Sequence, residues 1–278
     1  VAGKSGKAFF ETFETTHPGF SHQEHAWERL SSHRQGHSTL VATGTGSGKT
    51  ECFLYPVLDH CARARAAGES GVKALVIYPM NALATDQARR IAELVASTAA
   101  FAGLRVGLYV GGNAGALGEG MVMTPGAVIT DRDTLRKHPP DILLTNYKML
   151  DYLMLRPKDR QLWAANLPTT LRYVVVDELH TFDGAQGTDL ALPHLCRHIG
   201  HLGQRRRHGA FARICAADFW CAVWRRGCGD REPPIGGAVS GRRHGGLHVL
   251  VPGRTGAAAG AIAVPHAAGC GAGLVFAV

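Results

Sequence analysis

The sequence predicts an α/β domain with a largely parallel sheet flanked by helices, followed by an irregular tail. Two observations predict it. Short apolar, β-prone runs alternate with longer segments of helical spacing through residues 1–190, and such alternation is typical of a parallel sheet. Beyond about residue 200 no period of 2 or 3.6 residues is sustained, and glycine, arginine and alanine dominate.

The predicted elements follow one another without long gaps. Strand candidates are residues 39–43, 74–79, 105–111, 141–146 and 171–178, and helix candidates are residues 22–32, 50–66, 81–99, 146–154 and 186–199. A glycine-rich stretch without periodicity, residues 111–140, predicts an insertion or a long loop. Sheets of this kind bind ligands where their strands end, so functional residues are expected at the carboxyl ends.

The net charge of +8 is unevenly distributed along the chain. Residues 1–190 contain 19 basic and 19 acidic residues, whereas residues 191–278 contain 11 arginines and three acids. The tail therefore holds the whole excess of positive charge. This excess cannot be attributed to a functional surface of residues 1–190.

The stretch ATGTGSGKTECF (residues 42–53) resembles a phosphate-binding loop, with Thr43 where the pattern G-x-x-x-x-G-K-[ST] opens on glycine. Glycines let backbone N–H groups converge on phosphates, while Lys49 would reach the β- and γ-phosphates and Thr50 would hold Mg²⁺. A strand candidate precedes the loop and a helix candidate follows it. We therefore expect this phosphate loop (residues 43–50) to bind nucleotide through Thr43, Gly44, Thr45, Gly46, Ser47, Gly48, Lys49 and Thr50.

A second motif, VVVDELH (residues 174–180), ends a strand candidate on two acids. Asp177 would lie beside Mg²⁺, and Glu178 would orient and deprotonate the water that attacks the γ-phosphate. Taken alone, the motif could be an exposed strand end with two carboxylates. The phosphate loop makes the catalytic interpretation the better one.

The stretch FSHQEHAWERL (residues 20–30) precedes the loop by about twenty residues. The amide of Gln23 can both donate to and accept from adenine, and Phe20 can stack on the base. By itself the stretch could equally be an amphipathic surface helix.

Together these motifs resemble superfamily 2 helicases of the DEAD/DEAH type. FSHQ resembles their Q motif, TGTGSGKT motif I, YPMNALATDQ motif Ia, LLTNYKML motif Ib and DELH motif II. Four segments are most similar in sequence to a bacterial branch of large DNA helicases, which often have a cysteine-rich C-terminal domain. These segments are TGTGSGKTE, PMNALATDQ, DILLTNYKMLDYL and DELHTFDGAQGTDLA. The resemblance covers about residues 18–195.

The resemblance implies a RecA-like ATP-binding domain with ATP and Mg²⁺ as cofactors and nucleic acid as partner, DNA favoured over RNA. It implies Gln23 as adenine reader, Lys49 and Thr50 as phosphate and magnesium ligands, and Asp177 and Glu178 as catalytic acids. His180 would couple the nucleotide state to the DNA-facing side. The nucleic-acid path would be lined by Pro79, Asn81, Gln87, Gly111, Gly112, Thr145 and Asn146. For Asn81 and Asn146, helix capping is a parallel interpretation.

The resemblance also divides the chain. Residues 1–19 are expected to be an N-terminal leader and residues 20–200 the first RecA-like domain. Residues 201–278 resemble a GC-rich gene read out of frame, the alternative being a disordered basic tail. Motif III and the second motor domain, with its arginine finger, are not recognised. We therefore expect trace ATPase and no unwinding from this chain. A nucleotide-dependent binding switch and a nonfunctional remnant of a disrupted gene are the alternatives.

Other features of the sequence favour plain interpretations. Seven cysteines without a C-x-x-C pair, and no signal peptide, favour a reducing cytoplasm. Spacings of the tail cysteines match no usual zinc pattern, so Cys215, Cys221 and Cys228 with His208 are expected to be a chance cluster. A membrane span at residues 255–278 is not expected, because the stretch is mostly glycine and alanine and contains Pro265.

Overall fold

The computed structural model describes residues 9–15, 17–32, 39–44, 46–111, 120–167 and 169–182, and two strands farther along the chain. Its helices are α1 (Ser21–Leu30), α2 (Lys49–Ala66), α3 (Asn81–Ser97), α4 (Arg132–Lys137) and α5 (Tyr147–Leu155). Its strands are β1 (Thr39–Val41), β2 (Ala74–Tyr78), β3 (Val106–Tyr109), β4 (Ile142–Asn146), β5 (Tyr173–Val176), β6 (His248–Leu250) and β7 (Gly273–Ala277). Short 3₁₀ helices span Ala99–Phe101, Pro157–Trp163 and Leu179–Thr181.

The strands named above form one sheet in the order β3-β4-β2-β5-β7-β1-β6, with every pairing parallel. Parallel strands place their carboxyl ends at one edge, which we call the carboxyl edge. The loops after β1, β2, β3, β4 and β5 therefore all open at this edge. The predicted fold class, a largely parallel sheet flanked by helices, is confirmed.

Strands β1 to β5 are buried on both faces, as expected of parallel strands. Alternate residues of one strand point to opposite faces: along β2, Val76 packs in a core beneath α1, α2 and α3, whereas Leu75 and Ile77 pack in a second core beneath α5 and the 3₁₀ helix Pro157–Trp163. The five predicted strands are observed, each within three residues of its expected limits. Helix candidate 186–199 lies outside the described residues.

Three findings differ from the sequence-based expectations. Within the predicted long loop 111–140, residues 132–137 form α4, because the Asp131 side chain accepts from the Thr134 amide and caps a helix too short to show a period. Phe9 and Phe10, expected in a leader, are buried against Trp27. The tail contributes β6 and β7, and β7 lies between β1 and β5. A few consecutive apolar residues suffice for such strand pairing. Runs this short show no sustained hydrophobic period, so the sequence pattern does not predict them.

Candidate functional site

The phosphate loop leaves β1 and turns directly into α2. Gly46 and Gly48 both adopt positive φ, 75° and 76°, and Gly48 is the N-cap of α2. Residues with a Cβ rarely adopt this conformation, so these two glycines are required by the turn. The N-terminus of α2, starting at Lys49, therefore directs its first backbone N–H groups and a positive dipole end at the loop, the arrangement that binds phosphate.

Thr43 takes part in the closure of the loop. Its hydroxyl hydrogen-bonds the hydroxyl of Ser47, and the Ser47 hydroxyl also donates to the Gly44 carbonyl at 2.8 Å. Thr43 is not among the positive-φ residues of the described part, so a side chain is tolerated there. This explains why the loop forms without the expected opening glycine.

Helix α1 holds the phosphate loop from one side. The Gln23 side-chain amide donates to the Gly48 carbonyl at 3.1 Å, and its oxygen accepts from the Phe20 amide at 2.9 Å. The neighbouring His22 Nε2 lies 2.9 Å from the Ser47 carbonyl. Because a carbonyl only accepts, His22 carries its proton on Nε2. Gln23 is thus placed next to the loop, as adenine recognition requires, while His22 is a contact that sequence reasoning missed.

Phe20 presents an open ring surface beside these contacts. Its side chain is 65% exposed, and its ring lies nearly parallel to that of His22, with centroids 5.7 Å apart. An exposed large aromatic side chain at the entry of a nucleotide loop suits base stacking. The adjacency of Phe20 and Gln23 to the loop agrees with their predicted roles, which stay predictions.

The two acids follow β5. Asp177 is 4% exposed, and its carboxylate accepts from the Glu178 amide at 2.9 Å. Glu178 has φ 51° and ψ 43°, and it is the one non-glycine residue with positive φ in the described part of the chain. Burial, followed by the negative charge of Asp177, raises the pKa of Tyr78 at the end of β2. The Asp177 carboxylate is therefore both buried and close enough to Tyr78 for its charge to act on the hydroxyl.

The phosphate loop and the acids meet at the carboxyl edge. They follow β1 and β5, which are separated by β7 alone. Neighbouring strands are about 4.8 Å apart, so the two strand ends lie about 10 Å from each other, enough room for a triphosphate and its magnesium ion. Lys49 and Thr50 are half-buried on one side of this space. His180 lies in the 3₁₀ helix Leu179–Thr181, directly after the acids.

Farther along the same edge, side chains after β2, β3 and β4 form one hydrogen-bonded group. Asn81 donates to the Gly111 carbonyl at 2.8 Å and accepts from the side chain of Asn146. Asn146 also caps α5 by accepting from the Met149 amide, and the Thr145 hydroxyl donates to the Tyr109 carbonyl at 2.7 Å. The capping interpretation is therefore right for Asn146. Asn81 is instead the first residue of α3, after Met80 as N-cap.

The structure brings most predicted nucleic-acid residues together, but not all. Pro79 lies two residues before Asn81, between β2 and α3. Gln87 lies on α3 about 120° around the helix from Asn81, and on the same face as Arg90, which forms an ion pair with Glu51 of α2. Gln87 is therefore directed towards the nucleotide side. Thr45, Gly112 and the tail cysteines lie outside the described residues.

Comparison with known protein families decides the classification. The family model described as DEAD/DEAH box helicase matches residues 20–207. The chain belongs to the DEAD/DEAH box helicase family. The resemblance drawn from the five motifs is thereby confirmed, and the residues of the site described above lie within the matched range.

Several proteins of this family are similar to the chain over part of their length. Druantia protein DruE of Escherichia coli is 25% identical over 68% of this chain and 15% of its own. ATP-dependent helicase Lhr-Core of Methanothermobacter thermautotrophicus is 30% identical over 57% and 17%. The structure of Mycobacterium smegmatis helicase Lhr, bound to ssDNA and AMP-PNP, is 27% identical over 67% and 21%, with a TM-score of 0.50. ATP-dependent RNA helicases also match, over shorter stretches.

The chain thus spans less than a quarter of each of these three relatives. Among the residues that the structure describes, no helix has the length and apolar character needed to cross a bilayer. In that same part of the chain, three or more metal-ligating side chains do not cluster.

Proposed function

We propose that this chain is the first RecA-like motor domain of an ATP-dependent DNA helicase, and that it binds ATP with Mg²⁺ at the phosphate loop. One observation carries the proposal: the phosphate loop, the two acids and the Asn81–Asn146 group all open on the carboxyl edge of one sheet. A nucleotide site and a backbone-binding site on the same edge are what a motor that couples the two requires.

The nucleotide site would work as follows. Backbone N–H groups at the start of α2 and the Lys49 ammonium bind the phosphates, and Thr50 and Asp177 hold the magnesium ion. A magnesium ion held by Thr50 and Asp177 would supply positive charge against the negative charge that develops on the transferring phosphoryl group. Glu178 accepts the proton of the attacking water. Gln23 and Phe20 select adenine, through the amide edge and the exposed ring respectively.

The nucleic-acid site would contact the sugar-phosphate backbone. Amide side chains such as those of Asn81 and Asn146, and the N-termini of α3 and α5, bind phosphates without reading sequence. DNA is favoured over RNA by the branch resemblance and by the Lhr structure with ssDNA. The matches to RNA helicases make a direct comparison of the two polymers necessary.

We further propose that the isolated chain hydrolyses ATP only slowly and does not unwind. In phosphoryl transfer an arginine finger contributes about 10³–10⁵ in rate, and in helicases of this type it comes from a second motor domain. Glu178 and the proposed magnesium ligands Thr50 and Asp177 belong to the domain described above and would support a trace activity.

Steady-state ATPase, measured with no nucleic acid, with single-stranded DNA and with RNA of the same length, tests these proposals. We expect a low rate that depends on Glu178, so that Glu178→Gln abolishes it while binding of a fluorescent ATP analogue persists. Tight binding of DNA relative to RNA, measured by anisotropy, would support the polymer assignment.

Other outcomes are equally informative. Failure of the wild-type chain to bind the ATP analogue would contradict the nucleotide site itself. Nucleotide-dependent DNA binding without hydrolysis would favour a switch. DNA-stimulated turnover of tens per second from the monomer would contradict the requirement for a second domain.

A further inference from the structure

Helix α5 begins in the Asn81–Asn146 group and extends away from it. Its buried side consists of Met149, Leu150 and Leu153, which are at most 5% exposed. The opposite side carries Lys148, Asp151 and Tyr152, all exposed. Arg156, the C-cap, continues this row at the end of the helix.

Lys148 and Tyr152 are about one helical turn apart, and Arg156 follows Tyr152 by the same number of residues, just past the end of the helix. Residues four apart lie on one face of a helix and about 6 Å apart along its axis. Lys148, Tyr152 and Arg156 therefore lead in steps from the first turn of α5, where Asn146 caps the helix, to its end. A strand bound at the N-terminus of α5 could follow this row without changing direction.

Tyr152 is held in a defined orientation. The guanidinium carbon of Arg156 lies 3.9 Å from the centroid of the Tyr152 ring, within cation–π distance. The ring nevertheless remains 44% exposed. An ordered, accessible aromatic ring beside a cation is an arrangement on which bases of single-stranded nucleic acid stack. The second cation, the Lys148 ammonium, lies 5.8 Å from the centroid of the Tyr147 ring at the start of the same helix.

Charge around this row complements a polyanion. In residues 146–160 the exposed charged side chains are Lys148, Arg156, Lys158 and Arg160, against Asp151 as the exposed acid. The remaining acid, Asp159, is buried and hydrogen-bonded to Arg136. Residues 1–190 as a whole are neutral. The excess of positive charge in residues 146–160 is therefore local and does not reflect the average charge of this part of the chain.

We propose that Lys148, Tyr152 and Arg156 extend the nucleic-acid site along α5, with Tyr152 stacking on one base of a single DNA strand and the two cations contacting the flanking phosphates. The extension rests on the proposed function, because it continues the path that begins at the Asn81–Asn146 group. A plain solvated helix face is the competing interpretation.

Fluorescence anisotropy of the full chain with a fluorescein-labelled oligothymidylate tests the extension. Tyr152→Ala should weaken binding about tenfold, as expected for the loss of one stacked base, whereas Tyr152→Phe, which keeps the ring, should bind like wild type. On an abasic strand of the same length, wild type and Tyr152→Ala should bind equally. Lys148→Ala should lower the salt slope by about one. The matched control is Arg89→Ala, which removes an exposed cation of α3.

The outcomes separate this inference from the proposed function. If Asn81→Ala weakens DNA binding but Tyr152→Ala does not, the extension is wrong and the proposed function stands. If neither variant changes DNA affinity, both fail. An equal loss for Tyr152→Ala on thymidylate and abasic strands would also overturn the stacking role. Binding of the fluorescent ATP analogue should stay at the wild-type value in all α5 variants.

Discussion

The rings of Tyr147 and Phe182 meet edge to face, with centroids 5.9 Å apart and planes at 88°. Tyr147 directly follows Asn146 of the proposed nucleic-acid site, and Phe182 lies four residues after Glu178. The contact therefore joins the segment that would grip DNA to the segment that would activate water. A packed ring pair of this kind can carry coupling between two sites, provided that the coupling is measured.

Phe182→Leu should weaken this coupling and leave each site intact. An aromatic pair is worth about 0.5–1.5 kcal/mol, so the ratio of DNA affinities with and without AMP-PNP should fall about two- to tenfold. Anisotropy titrations measure both affinities. Tyr147→Leu should have the same effect, and the double variant should add little more, since both remove one contact. An unchanged ratio in Phe182→Leu would show that coupling follows another route.

Gly48→Ala should impair nucleotide binding much more than Gly44→Ala. A Cβ on Gly48 would approach the Gln23 side-chain nitrogen to 2.5 Å, and φ of 76° is unfavourable for alanine by about 1–2 kcal/mol. At Gly44 a Cβ meets nothing within 4 Å. Titration of a fluorescent ATP analogue should give at least a tenfold loss for Gly48→Ala and near-wild-type binding for Gly44→Ala. Comparable affinities would mean that the loop rearranges on binding.

Lys49→Ala should weaken ATP binding about tenfold or more. A charge-assisted hydrogen bond to phosphate contributes roughly 1.5–3 kcal/mol, and Lys49 opens the helix at the phosphate-binding end. Titration calorimetry with ATP·Mg²⁺ measures the loss. Lys148→Ala is a matched control on α5, and it should keep wild-type ATP affinity. Equal affinity of wild type and Lys49→Ala would contradict the site.

Stability should fall as the pH is lowered, in part through His60. Burial, followed by the nearby positive charge of Arg63, lowers the pKa of His60 to about 4. The unfolded chain, with a histidine pKa of about 6.5, then binds more protons than the folded chain between pH 6.5 and 4. Stability contributed by neutral His60 is present above pH 6.5 and is lost as the pH falls, by about 2 kcal/mol at pH 5.

Urea unfolding at pH 7.5 and pH 5 measures this dependence. His60→Gln removes the titrating group and should reduce the difference between the two pH values by about 2 kcal/mol. His25→Gln replaces an exposed histidine of α1, and it should keep the wild-type difference. A difference that is unchanged in His60→Gln would assign the pH dependence to other groups.

Asp141→Asn should destabilise the fold far more than Asp133→Asn. The Asp141 carboxylate binds the buried Lys73 ammonium at 2.8 Å and Arg65 at 3.0 Å. Removing its charge leaves Lys73 without its buried counter-charge, at a cost of about 3–5 kcal/mol. Asp133 pairs with Arg136 but is 76% exposed, and such pairs contribute about 1 kcal/mol or less. Similar unfolding free energies for the two variants would contradict this difference.

The sequence predicts secondary structure best where a capping residue and the pattern of buried apolar residues indicate the same boundary. Strand β4 and helix α5 are expected at residues 141–146 and 146–154 and are observed at Ile142–Asn146 and Tyr147–Leu155, because Asn146 both ends a buried apolar run and caps a helix. The phosphate loop is likewise recognisable, since its glycines are required by backbone conformation.

Tertiary contacts explain what sequence reasoning misses. His22 reaches the Ser47 carbonyl only because α1 packs on α2. In the sequence, the one signal for this contact is that His22 directly precedes Gln23. Helix α4 is too short for periodicity and is marked by Asp131 alone. The Tyr147–Phe182 contact joins residues 35 positions apart, and nothing in either segment by itself indicates the other.

The left-handed backbone conformation of Glu178 sets thermal stability against the proposed catalytic role at this position. A non-glycine residue in this conformation costs about 1–2 kcal/mol, so Glu178→Gly would relieve strain and raise the melting temperature. The same change would remove the carboxylate that we propose activates water. Selection of variants for thermal stability alone would therefore enrich glycine at this position. The selected proteins would be more stable and would bind nucleotide without hydrolysing it.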